Sequence, residues 1–433
     1  SWYWMPEIFD NFFKHFKTNT KELYTLKKLD PGFKIIFENE EIDLPSSWEG
    51  IRNLFDKYEE NGSKKLEEFM KDAEIKYNIG LEFLYNSPGI SLTELLNPKI
   101  LKNINKLQLL TSYRKHIKKY FTNSYLINIL EFPVLFLGTS AKHTPALYSL
   151  MAYSGIKQGT FYPIGGFNAV IKSMEKICKD LGVNILTNSE AKKINVENKK
   201  AVSISTNKEK IETDFLIASA DYAHVEEKLL EKEYRNYSSE YWNKKSFSPS
   251  SLLFYLGVTE KIEKLDHHTL FFDEDIEQHS DEIYDEPKWP SKPLFYTCCP
   301  SKTDPNVAPK GKENLFILIP IASGLKDSPE IRDKYYDIVM NRLEKFCNSE
   351  IRKNVEYKKS YCINDFINDY NAFKGNAYGL ANTLMQTANL KPKIINKKVR
   401  NIYYTGQLTV PGPGVPPSII SGQLVAEQII KAK

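Results

Sequence analysis

Apolar residues recur at helical spacing through the first part of the chain, and the pattern changes near position 156. Within positions 1–155, only Phe33–Phe37 and Glu41–Leu44 have the apolar, alternating character of strands. They predict one β-hairpin in an otherwise helical region. The clearest helix follows, because apolar residues between Phe167 and Leu181 recur every three or four positions, and Gly182 stands where the glycine after a helix end belongs.

The remainder of the chain alternates strands and helices. Short strands are predicted between about 184 and 218, from the first at Asn184–Thr187 to the last, the apolar run Phe215–Ala218. Between about 234 and 394, apolar strands and an amphipathic helix predict a second, mixed sheet-plus-helix region. The strand Ile402–Tyr404, a glycine-proline turn and a helix from about Ser418 then return to the α/β pattern. This order predicts a mixed α/β fold in which one domain is discontinuous in sequence.

Composition indicates a globular chain and restricts its partners. The 433 residues are 41% hydrophobic and 26% charged, which is enough apolar material for one or two large cores. The net charge is only +4, so nucleic acid is not predicted as a partner. Aromatic residues make up 13% of the chain and favour a large apolar cavity or interface. The five cysteines are scattered, so no disulfide framework is predicted and a reducing, cytoplasmic location is favoured.

The sequence lacks the motifs of membrane-spanning, metal-binding and hydrolytic proteins. No apolar run approaches the roughly 18 residues of a spanning helix. The segment Ile100–Phe121 mixes aliphatic and basic residues, as does a peripheral membrane helix or an ordinary helix packed on a core. No metal site is predicted, because Cys298-Cys299 has no ligand spacing and His267-His268 is expected to point to opposite faces of a strand. There is no G-x-S-x-G, Walker or G-x-G-x-x-G sequence.

The segment from Tyr404 to Ser418 has the most informative chemistry. Gly406 directly follows a strand, and Gly412 and Gly414 lie in a loop that four prolines stiffen. A helix that starts on proline leaves backbone N–H groups at its N-terminus, where they favour an anionic or electron-rich ligand. A rigid strand-to-helix connection without a ligand would have the same residues. On this pattern alone both interpretations stay open.

Six segments in a fixed order connect the chain to a known family. They are S-W-Y-W-M-P at 1–6, F-Y-P-I-G-G-F at 161–167, S-A-D at 219–221, H-H-T-L-F-F at 267–272, N-D-Y-N-A-F-K-G-N-A-Y at 368–378 and the turn at 406–418. Over essentially its whole length the chain resembles the bacterial-type phytoene desaturases, which are flavoproteins of the carotenoid pathway with an amine-oxidase-like fold. The resemblance implies FAD as the cofactor and a long apolar polyene such as phytoene as the substrate.

The resemblance also implies a domain arrangement. In this family S-W-Y-W-M-P lies some tens of residues into the protein, after a βαβ unit whose G-x-G-x-x-G turn holds the FAD pyrophosphate. The chain as given is therefore expected to lack that N-terminal unit and to bind FAD poorly. We expect a discontinuous, Rossmann-like FAD domain with a middle segment at 156–233 and a C-terminal segment at 395–433. Residues 1–155, which form a helical lid part, and residues 234–394 are expected to build the sheet-plus-helix substrate domain.

Five residues near the C-terminus match positions that contact the flavin in this family. Gly406 and Gln407 match the strand end beside the phosphate and ribityl chain, where the wider flavin oxidase group often has an acidic residue instead of Gln407. Gly414, Val415 and Pro416 match the loop and helix start that face the flavin pyrimidine. The resemblance implies that their amides and the helix dipole stabilise negative charge at flavin N1 and O2.

The other implied positions concern the adenine end and the reaction. Ala191 matches an adenine-contacting position, at which the family usually carries valine. No residue is assigned as catalytic, although Asp221, His143 and Arg114 are conceivable. The implied reaction needs little acid–base chemistry, since flavin N5 accepts a hydride from an allylic carbon and a neighbouring C–H loses a proton. An aromatic-lined tunnel that positions the chain and excludes water matters more.

Several functional alternatives stay open on the sequence. Within the fold they are a carotenoid isomerase, a later-stage desaturase and a dehydrosqualene-type desaturase. Outside it they are a non-catalytic lipid-binding remnant and a soluble amine oxidase. An insoluble substrate implies peripheral association with a membrane, for which Ile100–Phe121 is the candidate contact. The final electron acceptor also stays open on the sequence, with oxygen and a quinone as the alternatives.

Overall fold

The computed structural model describes residues 2–91, 94 and 106–432. The α-helices in these ranges are α1 (Pro6–Lys14), α2 (Thr20–Leu23), α3 (Trp48–Tyr58), α4 (Gly62–Asn86), α5 (Tyr113–Ile117), α6 (Ser124–Glu131), α7 (Leu150–Ala152), α8 (Phe167–Asp180), α9 (Tyr222–His224), α10 (Ser239–Lys244), α11 (Ile276–Ser280), α12 (Pro329–Cys347), α13 (Ile363–Tyr370) and α14 (Val415–Ala432). The strands are β1 (Leu26–Lys28), β2 (Phe33–Phe37), β3 (Glu41–Leu44), β4 (Phe161–Pro163), β5 (Ala191–Glu197), β6 (Lys200–Thr206), β7 (Lys210–Glu212), β8 (Leu216–Ala218), β9 (Ser250–Val258), β10 (His268–Phe272), β11 (Phe295–Cys298), β12 (Glu313–Ile321), β13 (Val355–Tyr361) and β14 (Ile402–Tyr404).

A seven-stranded sheet in the order β13-β9-β12-β11-β10-β2-β3 forms the larger part of the fold. The predicted hairpin is confirmed as β2 and β3, and β2 joins the sheet by parallel pairing with β10. Side chains of β12 alternate between fully and partly buried positions. The buried set, which includes Ile317, packs in one core with Val339 and Met340 of α12. Phe316 and Leu318 point to the other face, where they line a cavity.

A parallel pair of strands, β8 and β14, joins two segments that lie far apart in the sequence. The strand predicted at Ile402–Tyr404 is confirmed as β14. Tyr222, just after β8, stacks on Tyr404 with ring centroids 3.7 Å apart. The Tyr404 hydroxyl donates to the buried carboxylate of Glu226 at 3.0 Å. The strands β5, β6 and β7 form a separate antiparallel sheet, whose residues share a core with this pair.

Two helices agree with the sequence and one predicted strand is wrong. The long helix is confirmed as α8, and Gly182 beyond its end has a φ of 78°, as expected of that position. Helix α14 begins at Val415, before the predicted start near Ser418, because proline is tolerated in the first turn of a helix. The strand predicted at 184–187 does not form, since these residues pair with no strand in the described chain and leave Ile185 and Leu186 exposed.

The candidate membrane segment Ile100–Phe121 is only partly within the described residues, because positions 100–105 lie outside them. In the described part, the side chains of Leu107, Ile117 and Phe121 are buried. Leu110 is 90% exposed, and the lysines at 115, 118 and 119 are also exposed. Across the described ranges, no helix is long and apolar enough to cross a bilayer.

Candidate functional site

A large apolar cavity of about 1010 Å³ lies between the seven-stranded sheet, the first helices and the loop before α14. Its wall is mainly aromatic and aliphatic, with side chains such as Trp2, Trp4, Leu253, Tyr296, Phe316 and Leu318. Gly165, Gly166 and the residues Gly414–Pro417 line it as well. Because aromatic and aliphatic walls exclude water, the cavity suits a long apolar molecule.

The loop between β14 and α14 has the backbone shape that its glycines predict. Gly406, Gly412 and Gly414 have φ angles of 102°, 133° and 109°, which side-chain-bearing residues rarely adopt. The N–H groups available at the start of α14 are those of Gly414 and Val415, since Pro416 has none. The expectation that Pro416 contributes an amide donor is therefore wrong, and its role is restricted to shape. The cavity wall includes all three of Gly414, Val415 and Pro416.

Gly406 and Gln407 stand at the carboxyl end of β14, beside the end of β8. Thr405 N–H donates to the Ala218 carbonyl at 3.1 Å, which keeps the two strand ends together. Ligands of open parallel sheets bind at this edge. Neither Gly406 nor Gln407 belongs to the cavity wall, and Ala191 lies elsewhere, at the start of β5 opposite Thr206.

Ser421 of α14 fixes the strand end, and sequence reasoning missed it. Its hydroxyl accepts the Gly406 N–H at 3.1 Å and lies 3.0 Å from the hydroxyls of both Thr405 and Thr409. The side chain is fully buried. The sequence did contain a signal for this contact, because a serine lies inside the predicted helix that follows the glycine-proline turn. If its hydroxyl is buried, it needs hydrogen-bond partners on that turn.

Two unpaired polar groups lie under the middle of this loop. Lys391 is 2% exposed, and within the described chain its ammonium has no hydrogen-bond partner. Asn382 Oδ1 is likewise buried without a partner there. A methyl group built on Gly412 would lie 3.2 Å from Lys391 Nζ and 3.3 Å from Asn382 Oδ1, so both atoms sit against this glycine. Burial lowers the pKa of Lys391 to about 7.

The three conceivable catalytic residues have structural surroundings. Asp221 caps α9 by accepting the His224 N–H at 3.1 Å and also accepts the Phe373 N–H at 3.1 Å. Burial raises the pKa of Asp221. Arg114 forms ion pairs with Glu131 and Glu277, and the His143 side chain is 56% exposed. None of the three lines the cavity.

His267, His268 and Cys298 form a buried cluster whose candidate ligand atoms lie within 4.8 Å of one another. The expectation that the two histidines point apart is wrong, because β10 begins only at His268 and their ring centroids are 4.5 Å apart. Their Nδ1 atoms lie 2.7 Å from Thr303 Oγ1 and 2.6 Å from Tyr296 Oη, respectively. Burial lowers the pKa of both imidazoles, for His267 to about 3, so the pair is neutral at physiological pH.

Sequence comparisons identify relatives along nearly the whole chain. The family model for flavin-containing amine oxidoreductases matches residues 12–430. A carotenoid 3,4-desaturase of Haloarcula japonica is 36% identical across 100% of this chain and 88% of its own length. A zeta-carotene-forming phytoene desaturase of Myxococcus xanthus is 24% identical across 98% of this chain and 83% of its own length.

Solved structures support the same fold. Cyclohexylamine oxidase of Brevibacterium oxydans superposes with a TM-score of 0.53 at 10% identity, covering 99% of this chain and 85% of that one. Putrescine oxidase bound to putrescine gives a TM-score of 0.56 at 10% identity, covering 99% of this chain and 87% of that one. The residues of this chain also fit a flavin, because the unpaired Lys391 and Asn382 lie under a glycine loop that borders the cavity.

Proposed function

Because the chain belongs to the flavin-containing amine oxidoreductases and, among them, to the carotenoid desaturases, we propose that its cavity binds a long polyene beside an FAD held by the loop before α14. The activity is FAD-dependent desaturation of a polyene in carotenoid biosynthesis. One observation carries the assignment of the site. A single apolar cavity is bordered by the Gly414–Pro417 turn and extends along the aromatic face of the large sheet.

The residues of the loop each have a proposed part in holding the cofactor. The Gly414 and Val415 N–H groups, at the positive end of the α14 dipole, stabilise negative charge on the flavin pyrimidine. Gly406 and Gln407 lie at the strand end where phosphate and ribityl groups are expected, and Ala191 is assigned to the adenine end. We assign segments 156–233 and 395–433 to the FAD domain, whose strands β8 and β14 pair directly. Segments 1–155 and 234–394 form the substrate domain, in which β2 pairs with β10.

The chemistry requires positioning more than proton transfer. Bound FAD would supply the acceptor for the electron pair of an allylic C–H bond, the adjacent carbon would lose a proton so that the polyene loses two hydrogens in total, and oxygen or a quinone would reoxidise the cofactor. The cavity wall holds the polyene straight and excludes water from the developing cation. Tyr296 and Phe316 supply electron-rich ring faces along this wall.

Product analysis tests this function directly. The protein expressed from its complete gene, loaded with FAD, is incubated with phytoene and with more unsaturated polyenes in liposomes, with air or a quinone as acceptor. We expect products with additional double bonds, visible as absorption at longer wavelength and a mass loss of about two hydrogens for each bond. Products of unchanged mass would identify an isomerase, binding without turnover a lipid carrier, and turnover of amines an amine oxidase.

Peripheral binding to a membrane is the second part of the proposal. A polyene partitions into lipid, so the enzyme must collect it from a bilayer surface. The side chains of Leu110 and of the lysines at 115, 118 and 119 are exposed, and together they are the proposed contact patch. Basic residues attract anionic headgroups, and an exposed apolar residue can insert among them.

A further inference from the structure

Lys76, the other buried lysine of the described chain, and the partly buried Lys393 have partners, whereas Lys391 has none there. Lys76 is fully buried, but its ammonium lies 2.5 Å from Asp72. Lys393, two positions beyond Lys391, donates to the carbonyls of Gly89 and Asn389. Lys391 makes no such contact with any described residue. An unpaired buried ammonium is costly, and a native structure usually compensates it with a ligand, an ion or water.

The surroundings of Lys391 point to a ligand with both an acceptor and a donor. Asn382 Oδ1, an acceptor without a partner in the described chain, lies against the same glycine as Lys391 Nζ. The two groups do not bond to each other. Asn382 is part of the cavity wall, as are the neighbouring residues Pro411, Pro413 and Gly414 of the loop. A hydrocarbon polyene has neither hydrogen-bonding group, so it cannot satisfy this pair.

The pyrimidine edge of a flavin has the required chemistry, because it presents carbonyl oxygens beside an N–H group. Resting on the proposed function, we propose that Lys391 and Asn382 clamp this edge and that Lys391 is the counter-charge for the negative charge the flavin gains on reduction. The Lys391 ammonium donates to a carbonyl of the edge, and the Asn382 carboxamide oxygen accepts its N–H. Lys391 is a positioning residue for the cofactor in this role.

Electrostatics around Lys391 favour such a partner. Burial, with the like charge of Lys245 as the smaller cause, lowers the pKa of Lys391 to about 7. No carboxylate of the described chain is among the groups that influence this pKa. A newly formed negative charge beside the ammonium raises its pKa, so the lysine is fully charged when the cofactor is reduced. The coupling stabilises the reduced cofactor more than the oxidised one.

The test compares Lys391→Met, Lys391→Arg and Lys393→Met with the unaltered FAD-loaded protein. The readouts are the flavin reduction potential, measured against a reference dye, and the affinity for sulfite, which adds to the flavin and leaves it negatively charged. We expect Lys391→Met to lower the potential and to weaken sulfite binding about thirty-fold, the equivalent of about 2 kcal/mol for a lost buried charge partner. Lys391→Arg should restore most of both values, and Lys393→Met should change neither.

Each outcome decides the proposal. If Lys391→Met and Lys393→Met have the potential and sulfite affinity of the unaltered protein, the clamp is wrong while the desaturase function stands. Another outcome is the complete loss of FAD from Lys391→Met. If this occurs while Lys391→Arg retains FAD, and both variants keep the fold by circular dichroism, the result also supports a cofactor contact. Absence of FAD from the protein expressed from its complete gene would overturn both the clamp and the proposed function. Asn382→Leu, which removes only the acceptor, should weaken binding of oxidised FAD with a smaller change in potential.

Discussion

The Ser421 hydroxyl accepts the N–H of Gly406 at 3.1 Å and thereby ties the first turns of α14 to the end of β14. Replacement of Ser421 by alanine leaves the Gly406 N–H and the Thr405 hydroxyl without this partner. We expect a loss of about 1–3 kcal/mol in the free energy of unfolding, together with weaker FAD binding. Urea denaturation and FAD fluorescence titration measure the two effects. Ser418→Ala on the same helix is the matched control, and equal behaviour of both variants would contradict the assignment.

A second prediction concerns the glycine above Lys391. A Cβ at position 412 would lie 3.1 Å from Lys391 Cε at a φ of 133°, so Gly412→Ala introduces both a close contact and backbone strain. We expect it to destabilise the protein by about 1–3 kcal/mol and to weaken FAD binding. Gly422→Ala is the control, because a Cβ there meets nothing within 4 Å inside helix α14. That change should stabilise the protein by about 0.5–1 kcal/mol. If Gly412→Ala and Gly422→Ala changed the free energy of unfolding in the same direction, the explanation from the close contact and the strain at Gly412 would be contradicted.

The cavity predicts a substitution that blocks the substrate without unfolding the protein. Leu318 faces the cavity from β12, so Leu318→Trp fills space that the polyene needs. We expect desaturation to fall at least about tenfold while FAD binding and the thermal midpoint change little. Leu315→Val, on the opposite face of the same strand, should keep the activity and lower stability by about 1 kcal/mol. Normal turnover by Leu318→Trp would show that the polyene binds elsewhere.

The membrane proposal predicts a charge-dependent loss of binding. Changing Lys115, Lys118 and Lys119 to glutamate reverses the charge of the proposed contact patch. Each basic residue at an anionic surface contributes about 1 kcal/mol, so flotation with phosphatidylserine liposomes should be abolished. The control is a second triple variant, in which the three exposed lysines of α8, at 172, 176 and 179, are changed to glutamate. Loss of flotation in both triple variants would indicate a general charge effect rather than this patch.

Buried histidines predict how stability changes with pH. Burial lowers the folded-state pKa of His267 to about 3 and of His279 to about 4, and it holds the pKa of His268 well below its ordinary value. The unfolded chain therefore binds more protons below about pH 6.5, and the free energy of unfolding falls as the pH falls. Burial raises the pKa of Glu226 to about 7. Between the ordinary glutamate pKa and pH 7, this residue therefore raises the free energy of unfolding as the pH falls.

Three histidines outweigh this one carboxylate, since each histidine contributes up to about 1.4 kcal/mol for each pH unit. We expect urea midpoints to decrease from pH 7 to pH 5.5. His267→Asn should reduce the slope, whereas His143→Asn, which alters an exposed side chain, should leave it unchanged. A constant midpoint over this interval would contradict the burial of neutral imidazoles.

Elements with local signals could be predicted from the sequence. The β2–β3 hairpin follows from two short apolar runs around a turn, and α8 follows from its apolar period and Gly182. The shape of the loop before α14 could be predicted because its glycines permit, and its prolines impose, particular backbone angles, and both residue types are visible in the sequence. The strand at 184–187 was wrong, because apolar composition does not provide the neighbouring strand that pairing needs.

The polar part of the site could not be predicted in the same way. Lysine is almost always exposed, so nothing in the sequence indicates that Lys391 is buried under Gly412. The position of Ser421 depends on how α14 returns over β14, which is a tertiary property. The rule that neighbouring strand residues point to opposite faces gave the wrong orientation for His267, because β10 begins at His268 and His267 lies outside the strand. The assignment of Ala191 to the adenine end stays a prediction.

The pairing of β8 with β14 also sets the order in which the fold can assemble during synthesis. In the sequence, strands β9 to β13 separate β8 and Tyr222 from β14 and the stacked Tyr404. The loop that borders the cavity follows β14. This side of the fold can therefore close only after the chain has been synthesised beyond Tyr404. Any shortening from the C-terminus that removes β14 therefore destroys this side of the fold while sparing every strand of the seven-stranded sheet.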